Sequence, residues 1–146
     1  MTYLLEPCAR NTAPAIACAA HYLAQSVGRD AIMLVLPSDH WIADDGAWQE
    51  AMLAGAEFAF THHALVTFGI KPDSPKTGYG YIEAGVIRTE NVRQVLSFRE
   101  KPDSDTAQDF ISQGNYYWNS GMFVGCAGDY LAELAEYQPD IYYFSE

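Results

Sequence analysis

Ala31-Ile32-Met33-Leu34-Val35-Leu36-Pro37-Ser38-Asp39-His40 is the stretch on which the fold turns. Six apolar residues in a row, Val and Ile among them, predict a strand buried on both faces. Pro37 ends it, because proline donates nothing to a ladder. Asp39 then falls just past the strand's carboxyl end. In an open α/β sheet that edge binds ligands, so a carboxylate there is a candidate for holding a metal or a nucleotide; a solvated turn residue is the plainer alternative.

On the amino-terminal side, Met1-Thr2-Tyr3-Leu4-Leu5 reads as the tail of a strand and Glu6-Pro7-Cys8-Ala9-Arg10-Asn11 as a loop. Asn11 or Thr12 is placed to cap a helix that tolerates Pro14 in its first turn and runs to about Gly28. The free amides and positive dipole end at its start suit a phosphate. His21, mid-helix among apolar neighbours, reads as a core or surface histidine.

Beyond the strand, Asp44-Asp45-Gly46 leads into a second helix in which Trp48, Met52, Ala56 and Phe60 recur every four residues as a core stripe. His62 and His63 stand where its negative end should lie. Leu65 to Ile70 gives another buried strand, and helix, strand, helix, strand is the grammar of a right-handed parallel sheet. The stretch Lys71 to Tyr81, with two prolines and two glycines before Tyr81, breaks the pattern. It reads as a binding loop, since Gly78 and Gly80 let a backbone approach a ligand closely, or as a plain surface connection. A short strand Tyr81–Ala84 with a turn near Gly85 follows, then a strand over Val92–Phe98 closed by Arg99-Glu100-Lys101-Pro102. A helix over Ser104–Gln113 is capped by Asp103 or Ser104 and ended by Gly114. Tyr116 to Val124 reads as a loop entering a strand, and a last helix over Asp129–Glu136 leads to a tail.

The bulk numbers bound the function. With 146 residues, 49% of them hydrophobic and 18% charged, the chain is globular and sized for a single domain over 1–146. A net charge of -11 argues against nucleic acid and anionic membrane as partners, so an anionic substrate must be met by a few of the 8 basic residues. Cys8, Cys18 and Cys126 are scattered and show no zinc spacing, which predicts reduced thiols. No signal peptide and no span-length apolar run is visible, and the expectation is a soluble, cytoplasmic protein.

Four stretches together resemble the sugar-1-phosphate nucleotidyltransferases, and among them the bacterial mannose-1-phosphate guanylyltransferases. They are Glu6-Pro7-Cys8-Ala9-Arg10-Asn11-Thr12-Ala13-Pro14-Ala15-Ile16, Leu36-Pro37-Ser38-Asp39-His40, and Gly69-Ile70-Lys71-Pro72 continuing through Thr77-Gly78-Tyr79-Gly80-Tyr81-Ile82-Glu83. The fourth joins Phe98-Arg99-Glu100-Lys101-Pro102-Asp103 to Tyr117-Trp118-Asn119-Ser120-Gly121-Met122-Phe123. The resemblance implies a Rossmann-like, glycosyltransferase-A-like α/β domain with a mixed, mostly parallel sheet flanked by helices. It also implies guanylyl transfer from GTP to mannose-1-phosphate, giving GDP-mannose and pyrophosphate. Such chemistry brings two polyanions together and needs a divalent cation, positive side chains and fixed geometry. By the same resemblance Asp39 binds Mg²⁺, Lys101 contacts the sugar phosphate, and Glu100 and Asn119 bind sugar hydroxyls. Gly78 and Tyr79 line the sugar site with Glu83 near it, while Glu6, Arg10, Asn11 and Thr12 lie by the nucleotide.

The family's amino-terminal G-x-G-x-R loop and its second metal-binding aspartate have no counterpart here, and Ala9 stands where a glycine is usual. The expectation is a partial domain truncated at both ends, with little activity of its own and with sheet edges that associate with a second copy or a partner chain. Two alternatives stay open: a catalytically silent sugar-nucleotide-binding or regulatory module, and a nucleotidyltransferase for another sugar-1-phosphate.

Overall fold

The structure, a computed structural model, describes residues 2–6 and 11–146. Its elements are α1 (Thr12–Ser26), β1 (Ile32–Val35), α2 (Asp45–His62), β2 (Val66–Ile70), β3 (Tyr81–Thr89), β4 (Val92–Arg99), α3 (Ser104–Gln113), β5 (Tyr116–Cys126), α4 (Ala127–Tyr137) and α5 (Pro139–Phe144). Thr2 to Glu6 are irregular, so the expected strand tail does not form there.

Where helix signals are local, the chain obeys them. The Asp103 carboxylate accepts from the Thr106 amide at 2.8 Å and opens α3, and Gly114 closes it at φ 75, a left-handed position that glycine takes without a Cβ clash. Asp44 does the same for α2, accepting from the Ala47 amide at 3.0 Å. At the other end of α2 the His62 ring stacks on Phe58 with centroids 4.0 Å apart. Helix α5, with Pro139 in its first turn, occupies what reads from sequence as a tail.

The α/β class holds, with a sheet of five strands, but the expected mostly parallel pairing does not. β1 pairs antiparallel with β5 (Ile32↔Cys126 to Val35↔Phe123), and β3 pairs antiparallel with both β4 (Tyr81↔Arg99) and β5 (Tyr81↔Trp118). β2 also pairs with β5. The parallel reading takes β1 and β2, joined through α2, as neighbours. Each instead finds its partner in β5, far along the chain, and no local pattern encodes that choice.

Four further expectations are corrected. β1 is covered on one side only: Met33 is buried, while Ile32 and Leu34 are 39% and 40% exposed. An unbroken apolar run shows what a strand tolerates; what packs on it comes from elsewhere in the chain. In the α2 stripe, likewise, Met52 is buried and Phe60 is exposed. No turn forms at Gly85. β3 runs through it to Thr89, and its bare Cα receives Leu96, whose atoms lie 2.8 Å from where a Cβ would stand. The segment from Tyr116 is strand from its first residue, because its turn-like residues are paired: Ser120 Oγ donates to the Phe68 carbonyl at 2.6 Å and Thr67 Oγ1 to that of Met122 at 3.2 Å.

Contacts gather the chain into two compact units. One comprises Met1–Val35, Ala56–Val66 and Phe123–Glu146; the other comprises Leu36–Gly55 and Thr67–Met122. The core of the first is made of Ile16, Ala17 and Ala20 of α1, Met33 of β1, and Ala127, Tyr130, Leu131 and Leu134 of α4. The alanines let backbones come close, and buried His21 ties α1 to α5, its Nε2 3.1 Å from the Tyr142 carbonyl. The core of the second is Tyr81, Ala107, Phe110 and Tyr116, with Trp118 packed against it. There Phe110 and Tyr116 stack at 4.0 Å. Cys18 and Cys126 are free thiols, and burial foremost pushes the Cys126 thiol's pKa up. Among the described residues no helix is long and apolar enough to cross a membrane.

Candidate functional site

Antiparallel pairing of β3 with both β4 and β5 builds a row of residues at one end of the sheet in the second unit. Tyr81 stands opposite Arg99 and Trp118, so the next residues outward are Gly80, Glu100 and Asn119. The Gly80 carbonyl accepts from the Asn119 amide at 2.8 Å, extending the ladder by one step. A Cβ on Gly80 would lie 2.9 Å from Glu100 Oε2 and 3.6 Å from the Asn119 Cβ. The missing side chain thus gives the Glu100 carboxylate its place beside Asn119. Gly78 meets nothing within 4 Å at the same test. Of the two glycines read from the sequence as allowing close approach, Gly80 has its Cβ space already used by a neighbour.

Lys101 follows at φ 43, in the left-handed region that costs an L-residue roughly 1–2 kcal/mol. Its Nζ lies 3.7 Å from Glu100 Oε1, with the two side chains 65% and 73% exposed. So loose and wet an ion pair contributes little to stability, and its ammonium remains available to another anion. The Asn119 Oδ1 accepts from the Gly121 amide at 3.1 Å, which orients the carboxamide. Gly121 has φ 73, and its Cβ position lies 3.6 Å from Pro37 Cγ, so the Pro37-Ser38-Asp39 turn sets out beside Asn119's own turn. Asp39 is exposed within that turn and has no hydrogen bond or ion pair among the described residues.

Two predicted residues sit differently from the others. Tyr79 rests its ring edge-on against Trp118, centroids 5.1 Å apart at 78°. Glu83 accepts from Ser97 Oγ at 2.7 Å and stands opposite Tyr116, whose hydroxyl is pushed up in pKa by burial first and by the Glu83 charge next. Glu83 is therefore engaged in a cross-strand network. Of the residues expected by the nucleotide, Glu6, Asn11 and Thr12 belong to the first unit. Asn11 precedes α1 at φ 61 and ψ -177 without a side-chain cap bond, and Thr12 begins the helix. Exposed Glu6 borders a cavity of about 320 Å³ with Leu4, Cys18, His21, Tyr22 and Glu146. Arg10 lies outside the described residues.

Nucleotidyl transferases generally use a divalent metal. Among the described residues no three His, Cys, Asp or Glu gather to hold one. Asp39 offers an exposed carboxylate without a partner among the described residues, which fits a cation that takes most of its oxygens from phosphates and water rather than a cage of protein ligands. The residue that sequence reading missed is Tyr81. Its hydroxyl donates to the Lys76 carbonyl at 2.9 Å, and a buried ring's reach back to a loop backbone leaves no periodic signal.

The family description Nucleotidyl transferase matches residues 1–146. The xanthan biosynthesis protein XanB of Xanthomonas campestris pv. campestris (strain ATCC 33913) is 54% identical over 138 residues, which is 94% of this chain and 29% of that protein. A mannose-1-phosphate guanylyltransferase of Klebsiella pneumoniae is 49% identical over 141 residues, 94% of this chain and 30% of its own. A crystal structure described as mannose-1-phosphate geranyltransferase from Thermus thermophilus superposes with a TM-score of 0.88 at 32% identity, over 97% of this chain and 41% of the other. The chain thus spans 29% and 30% of the length of those two curated relatives.

Proposed function

We propose guanylyl transfer from GTP to mannose-1-phosphate as the reaction served by this chain, which belongs to the nucleotidyl transferase family. A phosphate oxygen of the sugar phosphate attacks the α-phosphorus of GTP, the bond to the β-phosphate breaks, and pyrophosphate leaves with its electron pair. The observation that carries the reading is the Gly80–Glu100–Asn119 row with the Lys101 ammonium beside it. Glu100 accepts from two sugar hydroxyls at once, Asn119 both accepts and donates, and Lys101 meets the phosphate as a compact charge. Gly78 and Tyr79 border the sugar, and Glu83 steadies β3 below it through Ser97. Glu6, Arg10, Asn11 and Thr12 serve the nucleotide, whose phosphates are favoured by the amide end of α1. Asp39 would hold Mg²⁺ jointly with phosphate oxygens, and the ion supplies charge neutralisation at the attacked phosphorus. Nucleotide substrates place the protein in the cytoplasm. Exposed Leu96 and Phe98 on β4 support association with a second copy, which light scattering across concentration would read.

Isothermal titration with GDP-mannose and Mg²⁺ tests the reading. Binding should weaken about tenfold or more in Lys101→Ala and in Asp39→Ala, the usual cost of a lost charged contact. No binding by the folded chain overturns it, and tighter binding of glucose-1-phosphate than of mannose-1-phosphate changes the sugar. A second reading, binding without transfer, is favoured by the solitary Asp39 carboxylate. Guanylyl transfer above the Lys101→Ala background would dispose of it.

A further inference from the structure

The loop from Lys71 to Gly80 carries the sugar-side residues, yet it contains no helix or strand. Its order comes from few points. The Lys76 amide donates to the Ser74 carbonyl at 3.0 Å, and Ser74 Oγ donates to Asp73 Oδ1 at 2.6 Å, both local turns. Contacts that tie the loop to the sheet are the Tyr79 ring against Trp118, the Asn119 amide to the Gly80 carbonyl, and the Tyr81 hydroxyl to the Lys76 carbonyl at 2.9 Å.

Tyr81 differs from the other two anchors in being wholly buried. Its ring is wedged against Phe110 at 5.4 Å, within the cluster of Ala107 and Tyr116. A side chain so confined has one rotamer, so its hydroxyl is a fixed point five residues downstream of the carbonyl it holds. The segment between, Thr77-Gly78-Tyr79-Gly80, is thereby closed into a short loop. Two glycines in so short a span would otherwise leave it a wide range of conformations.

We infer that the Tyr81 hydroxyl is a positioning group for the sugar-phosphate site: by holding the Lys76 carbonyl it fixes the Thr77–Gly80 segment where Gly80 meets Glu100 and Asn119. The inference rests on the proposed sugar site, but the latch itself is readable without it. Of the chain's three lysines, two are protected from trypsin by the following Pro72 and Pro102, and cuts after its five arginines give fragments of other masses, so the remaining lysine bond is read on its own by mass spectrometry. The third bond, Lys76–Thr77, contains the carbonyl that Tyr81 holds. Protease action reports how often that backbone leaves its folded place.

The experiment compares wild type, Tyr81→Phe and Tyr116→Phe, the last removing a hydroxyl from the same cluster that does not touch the loop. In Tyr81→Phe, trypsin should cut Lys76–Thr77 several-fold faster, and GDP-mannose affinity should fall about tenfold, as for loss of one ordered hydrogen bond, with the melting temperature close to wild type. Tyr116→Phe should leave the cutting rate at that bond unchanged. An unchanged rate in Tyr81→Phe, or an equal rise in Tyr116→Phe, overturns the latch. An unchanged affinity with faster cutting overturns its positioning role. If wild type binds no GDP-mannose, the sugar reading fails, and the latch is then decided by cutting alone. Should Tyr81→Phe not fold, Phe110→Leu loosens the ring that wedges Tyr81 in place, and a wild-type rate at Lys76–Thr77 in that variant overturns the inference.

Discussion

The two units of this chain are held by opposite kinds of core. In one, α1, β1 and α4 meet mostly through alanines, Ile16, Met33, Leu131 and Leu134, with Tyr130 the one buried residue of the cluster that carries a polar tip, its hydroxyl donating to the Ala13 carbonyl at 3.1 Å. In the other, Tyr81, Phe110, Tyr116 and Trp118 gather around Ala107. Aromatic residues with polar tips bury as much surface and still reach out. Tyr81 grasps a loop carbonyl and Tyr116 answers Glu83. The lesson is that packing and polar reach are separate tasks in the aliphatic unit except at Tyr130, whereas in the aromatic unit the same cluster does both.

Truncating each core breaks the comparison open. Phe110→Ala should cost about 3–5 kcal/mol and Leu131→Ala about 2–5 kcal/mol in denaturant unfolding. The discriminating observation is GDP-mannose affinity of the molecules that remain folded. It should fall in Phe110→Ala, whose ring braces Tyr81, and hold in Leu131→Ala; equal losses would erase the distinction. A smaller perturbation is Gly80→Ala. The new methyl crowds only the end of the flexible Glu100 side chain, so the melting temperature should move little, while displacement of the carboxylate should weaken GDP-mannose binding about tenfold. The smallest effect concerns Asp103, which starts the helix bearing Phe110. Hydrogen bonds from the Thr106 side chain and then its backbone hold the Asp103 carboxyl below its ordinary pKa. A depressed folded value means the cap's stabilisation is present above the normal aspartate range and is lost as pH falls through the folded one. The stability advantage of wild type over Asp103→Asn, measured by urea unfolding, should therefore shrink steadily under acid and be gone once the carboxylate is protonated.

How far the sequence could be read follows the range of the forces involved. Helix α3 was legible at both ends because Asp103 and Gly114 act on their own neighbours. Asp39 was rightly placed just beyond β1, since Pro37 breaks a strand in any context. Glu100, Lys101 and Asn119 were recognised as a set from their motifs, and β3, β4 and β5 do bring Glu100 and Asn119 to one row with Gly80. What failed was everything decided at a distance. The antiparallel choice of β1 depended on β5, the exposure of Ile32 and Leu34 on what covers them, and the path through Gly85 on Leu96 arriving from the next strand. Tyr81 was visible as a residue of a motif, but its role required knowing which way a buried hydroxyl points.

The pairing of Ile32 with Cys126 also sets a schedule for synthesis. When β1 leaves the ribosome its partner is still roughly 90 residues from being made, and at about 5–20 residues per second the wait is on the order of 5–20 s. Through that interval Ile32, Met33, Leu34 and Val35 travel as an unpaired apolar strand. A nascent-chain holder that shelters such segments, or a slower-growing cell, would change the yield of folded protein without altering a single contact in the finished molecule.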